Sequence, residues 1–154
     1  GSESLLEHQP DNLPDRYEAG THNLPGIAGL GMAVKFIMEE GLDRIREKER
    51  SLTREALEGL SEIPGVRVYG PRDPDRQVGV ISMNVGDVRP EEVSYVLDEV
   101  YDIMARAGLH CSPCAHRTIG TLDRGTLRVG FGYFNNQDHV EHLIRAIRDI
   151  AASS

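Results

Sequence analysis

The chain has 154 residues, 39% of them hydrophobic and 27% charged, which fits one globular domain rather than a fibrous or low-complexity chain. Its formal net charge of −8 excludes a broad phosphate-neutralising surface, so nucleic acid is not an expected partner. No apolar run approaches the roughly 20 residues a membrane span needs and the N-terminus carries no basic and apolar leader, so no membrane association and a cytoplasmic setting are expected.

Residues 1–19 mix acids with Pro10 and Pro14, show no period, and read as extended. Gly20-Thr21-His22-Asn23-Leu24-Pro25-Gly26 is a helix-start signal, with Pro25 near the first helical position. Ile27, Leu30, Val34 and Ile37 then follow at helical spacing, among small residues that would let another element come close. Gly41 breaks this helix, and a longer one is expected over Leu42–Leu60, whose charge run reads as a solvated face with i,i+4 pairs.

Ile63-Pro64-Gly65 stops the second helix, and Val66–Tyr69 alternates as a strand. After turn residues at 70–75, Val78–Val85 reads as a more buried strand. Pro90 opens a helix carrying Val93, Val96, Leu97 and Val100, and Tyr101–Ala107 is expected as a third strand. Thr126–Phe131 is a fourth, and Asn135 or Asn136 caps a last helix with the stripe Val140, Leu143, Ile144, Ile147 and Ile150. These elements predict an α+β sandwich: an antiparallel sheet of three to four strands covered by helices, over 26–154, entered by a segment over 1–25.

Both cysteines and two of the six histidines fall in Arg106-Ala107-Gly108-Leu109-His110-Cys111-Ser112-Pro113-Cys114-Ala115-His116. Three uses are open. Cys111, with His110, Arg106 and Arg117 nearby, has the neighbours that favour a nucleophilic thiolate. His110, Cys111, Cys114 and His116 offer zinc its preferred nitrogen and sulfur donors, although one short run closes a tetrahedron poorly. Cys-x-x-Cys is also a redox dithiol pattern, here after a late strand and without a helix-forming run. A partly buried, inert thiol is the bland alternative to all three. Arg128 interrupts the apolar alternation Leu127-Arg128-Val129 between glycines, and reads either as a solvent-facing strand residue or as a fork for a carboxylate. Thr21, before a helix, is either a cap or part of a small anion site.

Gly-Leu-His-Cys-Ser-Pro-Cys-Ala-His-Arg-Thr-Ile-Gly-Thr (108–121) and Gly-Thr-Leu-Arg-Val-Gly-Phe-Gly-Tyr-Phe-Asn (125–135) resemble the C-terminal part of the cysteine desulfurases, class V aminotransferases that use pyridoxal phosphate (PLP). Arg16-Tyr17-Glu18-Ala19-Gly20-Thr21-His22-Asn23-Leu24-Pro25-Gly26-Ile27-Ala28-Gly29-Leu30 is similar to that family's approach to its small domain. The resemblance runs from about Pro14 to Ile150. It implies the small C-terminal domain of a fold-type I PLP enzyme. It further implies that Cys111 takes sulfur from L-cysteine as a persulfide, releasing L-alanine, for a sulfur-acceptor protein. Arg128, with Arg106 beside it, would hold the substrate carboxylate. Thr21 would contact the cofactor phosphate across a homodimer interface.

PLP chemistry needs a lysine, and the chain has only Lys35 and Lys48, neither in a glycine-rich, cleft-like context. The resemblance therefore points to part of a longer enzyme, inactive alone. Cys114 and His22 depart from the family's pattern, where an apolar residue and proline are usual. A metal-binding or redox module on Cys111 and Cys114, a partner-docking domain using the apolar first helix, and a related lyase such as selenocysteine lyase are the other readings.

Overall fold

A computed structural model describes residues 7–18 and 20–153. The chain divides into two units, Gly1–Leu42 and Asp43–Ser154.

In the first unit, the extended run expected over 1–19 falls partly on residues 1–6 and 19, outside the described residues. Elsewhere it is a turn. Arg16 N donates to Asn12 O at 3.0 Å and Tyr17 N to Pro14 O at 2.9 Å. Asn12 and Asp15, bonded to each other at 2.6 Å, supply the short polar side chains that favour such turns. Helix α1 spans Leu24–Glu40. Its cap is Asn23, whose Oδ1 accepts from Gly26 N at 3.1 Å. No residue of α1 is buried; Leu24, Leu30 and Met38 are more than 60% exposed.

In the second unit, α2 (Leu42–Ser61) leads to β1 (Val66–Tyr69), β2 (Val80–Val85), α3 (Pro90–Tyr101), β3 (Arg106–Gly108), α4 (Pro113–Ile119), β4 (Thr126–Gly130) and α5 (Gln137–Ala152). The four strands form one antiparallel sheet in the order β1-β2-β4-β3. Strand alternation divides its faces. Val68, Ile81, Met83, Val85, Leu127 and Val129 point into a core closed by Leu52, Ala56, Leu57 and Leu60 of α2, Val93 and Leu97 of α3, and Val140, Leu143, Ala146, Ile147 and Ile150 of α5. The other face carries Arg67, Tyr69, Ser82, Asn84, Arg106, Thr126 and Arg128.

The α+β architecture is as expected, with local differences. Tyr101 ends α3 instead of opening a strand. Asp102, at φ 54°, caps the helix in the left-handed region that a short polar side chain tolerates, and β3 shrinks to three residues. The α2 charge run is not wholly solvated. Arg46 donates to Pro74 O at 2.8 Å and Arg50 pairs with Asp75 at 2.7 Å, pinning the β1–β2 turn. Helix α4 was not expected: Ser112 and Pro113 give it a cap position and first residue, and Gly120, at φ 75°, ends it.

Candidate active site on the polar face of the sheet

The loop between β3 and α4 is a tight reversal. Ser112 N donates to Leu109 O at 2.9 Å, and the two central residues, His110 (φ 52°) and Cys111 (φ 58°), both have positive φ. That is the sign pattern of a type I′ turn, which usually recruits glycine, asparagine or aspartate. Imidazole and thiol side chains there cost backbone energy and persist only where the surroundings hold them.

Two features hold this turn. First, the His110 ring reaches β4, where Nε2 lies 3.0 Å from Thr126 O. A carbonyl oxygen only accepts, so Nε2 carries the proton and Nδ1 is left as a lone-pair acceptor. Nδ1 is shielded from solvent and has no protein partner. Second, Gly108 and Gly125 are in near contact: a Cβ on Gly125 would lie 2.7 Å from the Gly108 carbonyl carbon. Asn84 Nδ2 donates to Gly125 O at 3.2 Å, fastening the same corner to β2.

Burial, first, lowers the His110 pKa below its ordinary 6.5; the charges of Arg128 and Arg106 push the same way, against the hydrogen bond to Thr126. His110 is therefore neutral at pH 7. His116, 4% exposed, is a core residue, with Nδ1 2.8 Å from Thr121 Oγ1. His110 Nε2 is engaged by β4 and His116 Nδ1 by Thr121, and among the described residues no group of three or more His, Cys, Asp or Glu is placed to hold a metal ion. Cys111 and Cys114 are free thiols, both exposed, and Cys114 lies in the first turn of α4.

Arg128 occupies the centre of the polar face. Its register partners are Ser82 on β2 and Arg106 on β3, so two guanidiniums stand opposite each other across the β3–β4 pair. Neither arginine has an ion-pair partner among the described residues. Like charges directly opposite on a sheet destabilise it, and a guanidinium fork is a side chain well suited to a carboxylate. The described residues form two clefts, one of about 520 Å³ beside Arg67, Tyr69 and Thr118 and another of about 320 Å³ beside Ile103, Phe131 and His139. Neither is lined by Cys111, Arg106 or Arg128.

Arg106 and Arg128 are cross-strand partners on β3 and β4, and the His110–Cys111 turn follows the end of β3. Thr21 belongs to the first unit, where it is exposed and lies outside the α1 cap that Asn23 provides. Sequence reasoning treated His110 as a metal or thiolate neighbour and missed its bond to β4, which no local pattern announces.

Residues 2–143 match the family model described as Aminotransferase class-V. The chain belongs to the class-V aminotransferase family. This class-V chain is 37% identical over 140 residues to a probable cysteine desulfurase of Pyrococcus abyssi, covering 91% of the chain and 34% of that relative. It is 31% identical over 142 residues to one of Methanothermobacter thermautotrophicus, covering 92% and 35%. Among solved structures, the apo cysteine desulfurase of Thermococcus onnurineus NA1 superposes with a TM-score of 0.85 at 35% identity, over 92% of this chain and 34% of that one. The Escherichia coli cysteine desulfurase CsdA, as its S-sulfonic acid, superposes with a TM-score of 0.78 at 28% identity, over 91% and 33%. The chain spans about a third of the length of the curated relatives it matches. No helix among the described residues is long and apolar enough to cross a membrane.

Proposed function

We propose that this chain is the small-domain part of a PLP-dependent cysteine desulfurase, with Cys111 as the acceptor of sulfur from L-cysteine. What supports this reading is the match to cysteine desulfurases together with an exposed thiol in the left-handed turn that follows β3, the strand whose Arg106 pairs in register with Arg128. Arg128, half-buried and mid-strand, is the rigid fork for the substrate carboxylate, and Arg106, at the exposed edge, adds a second positive charge. The His110–Thr126 bond fixes the base of the turn, so that Cys111 is presented rather than left on a slack loop.

PLP, when bound, supplies the electron sink that lets the substrate's carbon–sulfur bond break. This chain does not furnish the lysine that anchors such a cofactor. Lys35 pairs with Glu39 at 3.7 Å on α1, and Lys48 lies 4.8 Å from the Tyr133 ring centre on α2. What the chain supplies is narrower. Arg128 and Arg106 hold the carboxylate. Cys111, as thiolate, forms a bond to the substrate sulfur and keeps it as a persulfide, and alanine leaves. Thr21 would contribute its exposed hydroxyl to the cofactor phosphate of the other subunit in a homodimer. A cytoplasmic sulfur-acceptor protein would then unload Cys111.

The test is the intact enzyme with PLP and L-cysteine, with and without Cys111→Ala. The variant should bind L-cysteine yet form neither alanine nor a persulfide above background. Full alanine production by the variant would remove Cys111 from the role.

A further inference from the structure

We propose that the free edge of β1 is a docking groove for a short acidic segment of a partner protein, bound as an extended strand added to the sheet. This edge lines the cleft of about 520 Å³, to which Cys111, Arg106 and Arg128 do not contribute.

Strand β1 stands at one end of the order β1-β2-β4-β3, so among the described residues only β2 pairs with it. The phase of the ladder decides which backbone groups face outward. Gly86 N donates to Gly65 O at 2.7 Å, and the register then pairs Val66 with Val85 and Arg67 with Asn84. Bonded and non-bonded pairs alternate along an antiparallel ladder. Arg67 and Tyr69 therefore bond to β2, while Val66 and Val68 turn their backbone groups outward. The far side of β2 gives the same phase. Phe131 N donates to Gly79 O at 2.7 Å, which commits Ile81 and Met83 to β4 and leaves Ser82 and Asn84 for β1. Val66 N–H is used locally, on Ile63 O at 3.1 Å. Val66 O, Val68 N–H and Val68 O are left, and no hydrogen bond among the described residues takes them.

The cleft follows these groups. Residues 66–70 line it in unbroken sequence, together with Ser61 at the end of α2 and Thr118 and Ile119 at the end of α4. An added strand would find its main-chain partners at Val66 and Val68, and its side chains would alternate between the two faces of the sheet. On one face they meet Val66 and Val68, on the other Arg67 and Tyr69. Arg72 also lines the cleft, and no Asp or Glu does. Arg67 lies 5.1 Å from the Tyr69 ring centre and, like Arg72, has no ion-pair partner among the described residues. In a chain of net charge −8, a groove with two unpaired cations and no carboxylate selects an acidic occupant. It selects against a second copy of β1, which would bring two more arginines to the same short ladder. Pro71 and the four-residue length of β1 keep the pairing short. The segment that fits alternates carboxylate and apolar side chains.

Intact protein is titrated at low salt into a labelled peptide of about six residues that alternates glutamate and valine, followed by fluorescence anisotropy. Saturable binding is expected. The double variant Arg67→Glu, Arg72→Glu reverses two exposed charges and leaves the core alone; it should bind at least about tenfold more weakly. The same peptide with N-methylated amides should also lose at least about tenfold, because the N–H that Val68 O would accept is gone. No saturable binding by about 1 mM peptide would overturn the proposal. So would equal affinity for the N-methylated peptide or for one alternating lysine and valine. If the double variant instead breaks up a dimer seen by sedimentation, the edge belongs to a second copy and the acidic occupant is overturned.

Discussion

Gly125 and Gly120 share nearly the same backbone strain, with φ 74° and 75°, but differ in what surrounds them. Around Gly120 an added Cβ would meet nothing within 4 Å. At Gly125 it would meet the carbonyl carbon, Cα and oxygen of Gly108 at 2.7, 2.8 and 2.8 Å. Gly120→Ala should therefore cost only the left-handed penalty, about 1–2 kcal/mol. Gly125→Ala adds a clash between backbones that no side-chain rotation relieves, an overpacking cost of about 1–3 kcal/mol. The Asn84 bond to Gly125 O would also be strained by any shift at this corner. The sum for Gly125→Ala is about 2–5 kcal/mol, against a native stability of order 5–15 kcal/mol. Urea unfolding of both variants, followed by far-UV circular dichroism, measures the difference directly, because the shared φ term cancels. Gly125→Ala should unfold at clearly lower urea with an unchanged slope. Equal midpoints for the two variants would refute the claim that Gly108 and Gly125 are locked by contact.

Leu127→Ala, at a fully buried position in the middle of the sheet, should cost about 2–5 kcal/mol, read from the urea midpoint. The His110 prediction follows from its sign. Folding favours the neutral ring, so the unfolded chain binds the proton first as pH falls, and stability is lost below the ordinary value of 6.5 and is level above it. His110→Gln keeps a donor for Thr126 O but cannot titrate, so the wild-type minus variant stability should fall between pH 6.5 and more acid conditions; a difference that is flat with pH would contradict this. Arg128→Lys replaces a two-point fork by a single ammonium, and in the intact enzyme KM for L-cysteine should rise about tenfold or more, since a charge-assisted bond contributes about 1.5–3 kcal/mol. An unchanged KM would take Arg128 away from the carboxylate.

Period and punctuation located α2, β1, β2, α3, β4 and α5, because each buries one face and ends at a glycine, proline or polar cap. They failed where tertiary contacts decide. Tyr101 carries β-type chemistry but finishes α3, because Asp102 can cap it. Helix α4 was legible in Ser112-Pro113 and Gly120, yet the reactive spacing of the cysteines drew attention from these stop and start signals. Arg128 stood out as a charge inside an apolar alternation. Its cross-strand neighbour Arg106 fell within the strand expected over Tyr101–Ala107, but the facing of the two arginines depends on β3–β4 register, which local period does not give. The His110–Thr126 bond joins residues 16 apart through a histidine whose local neighbours say nothing about β4.

The Arg106–Arg128 rung has a mechanical consequence. Without an anion, this rung sets two like charges against the pairing of the outermost strand with the rest of the sheet. An anion bound between them removes that opposition, so its binding energy and the cohesion of β3 with β4 are linked by mass action. The same strand ends at Gly108, where the thiol-bearing turn begins. If the guanidiniums take a carboxylate as proposed, its arrival would therefore tighten the hinge from which Cys111 hangs.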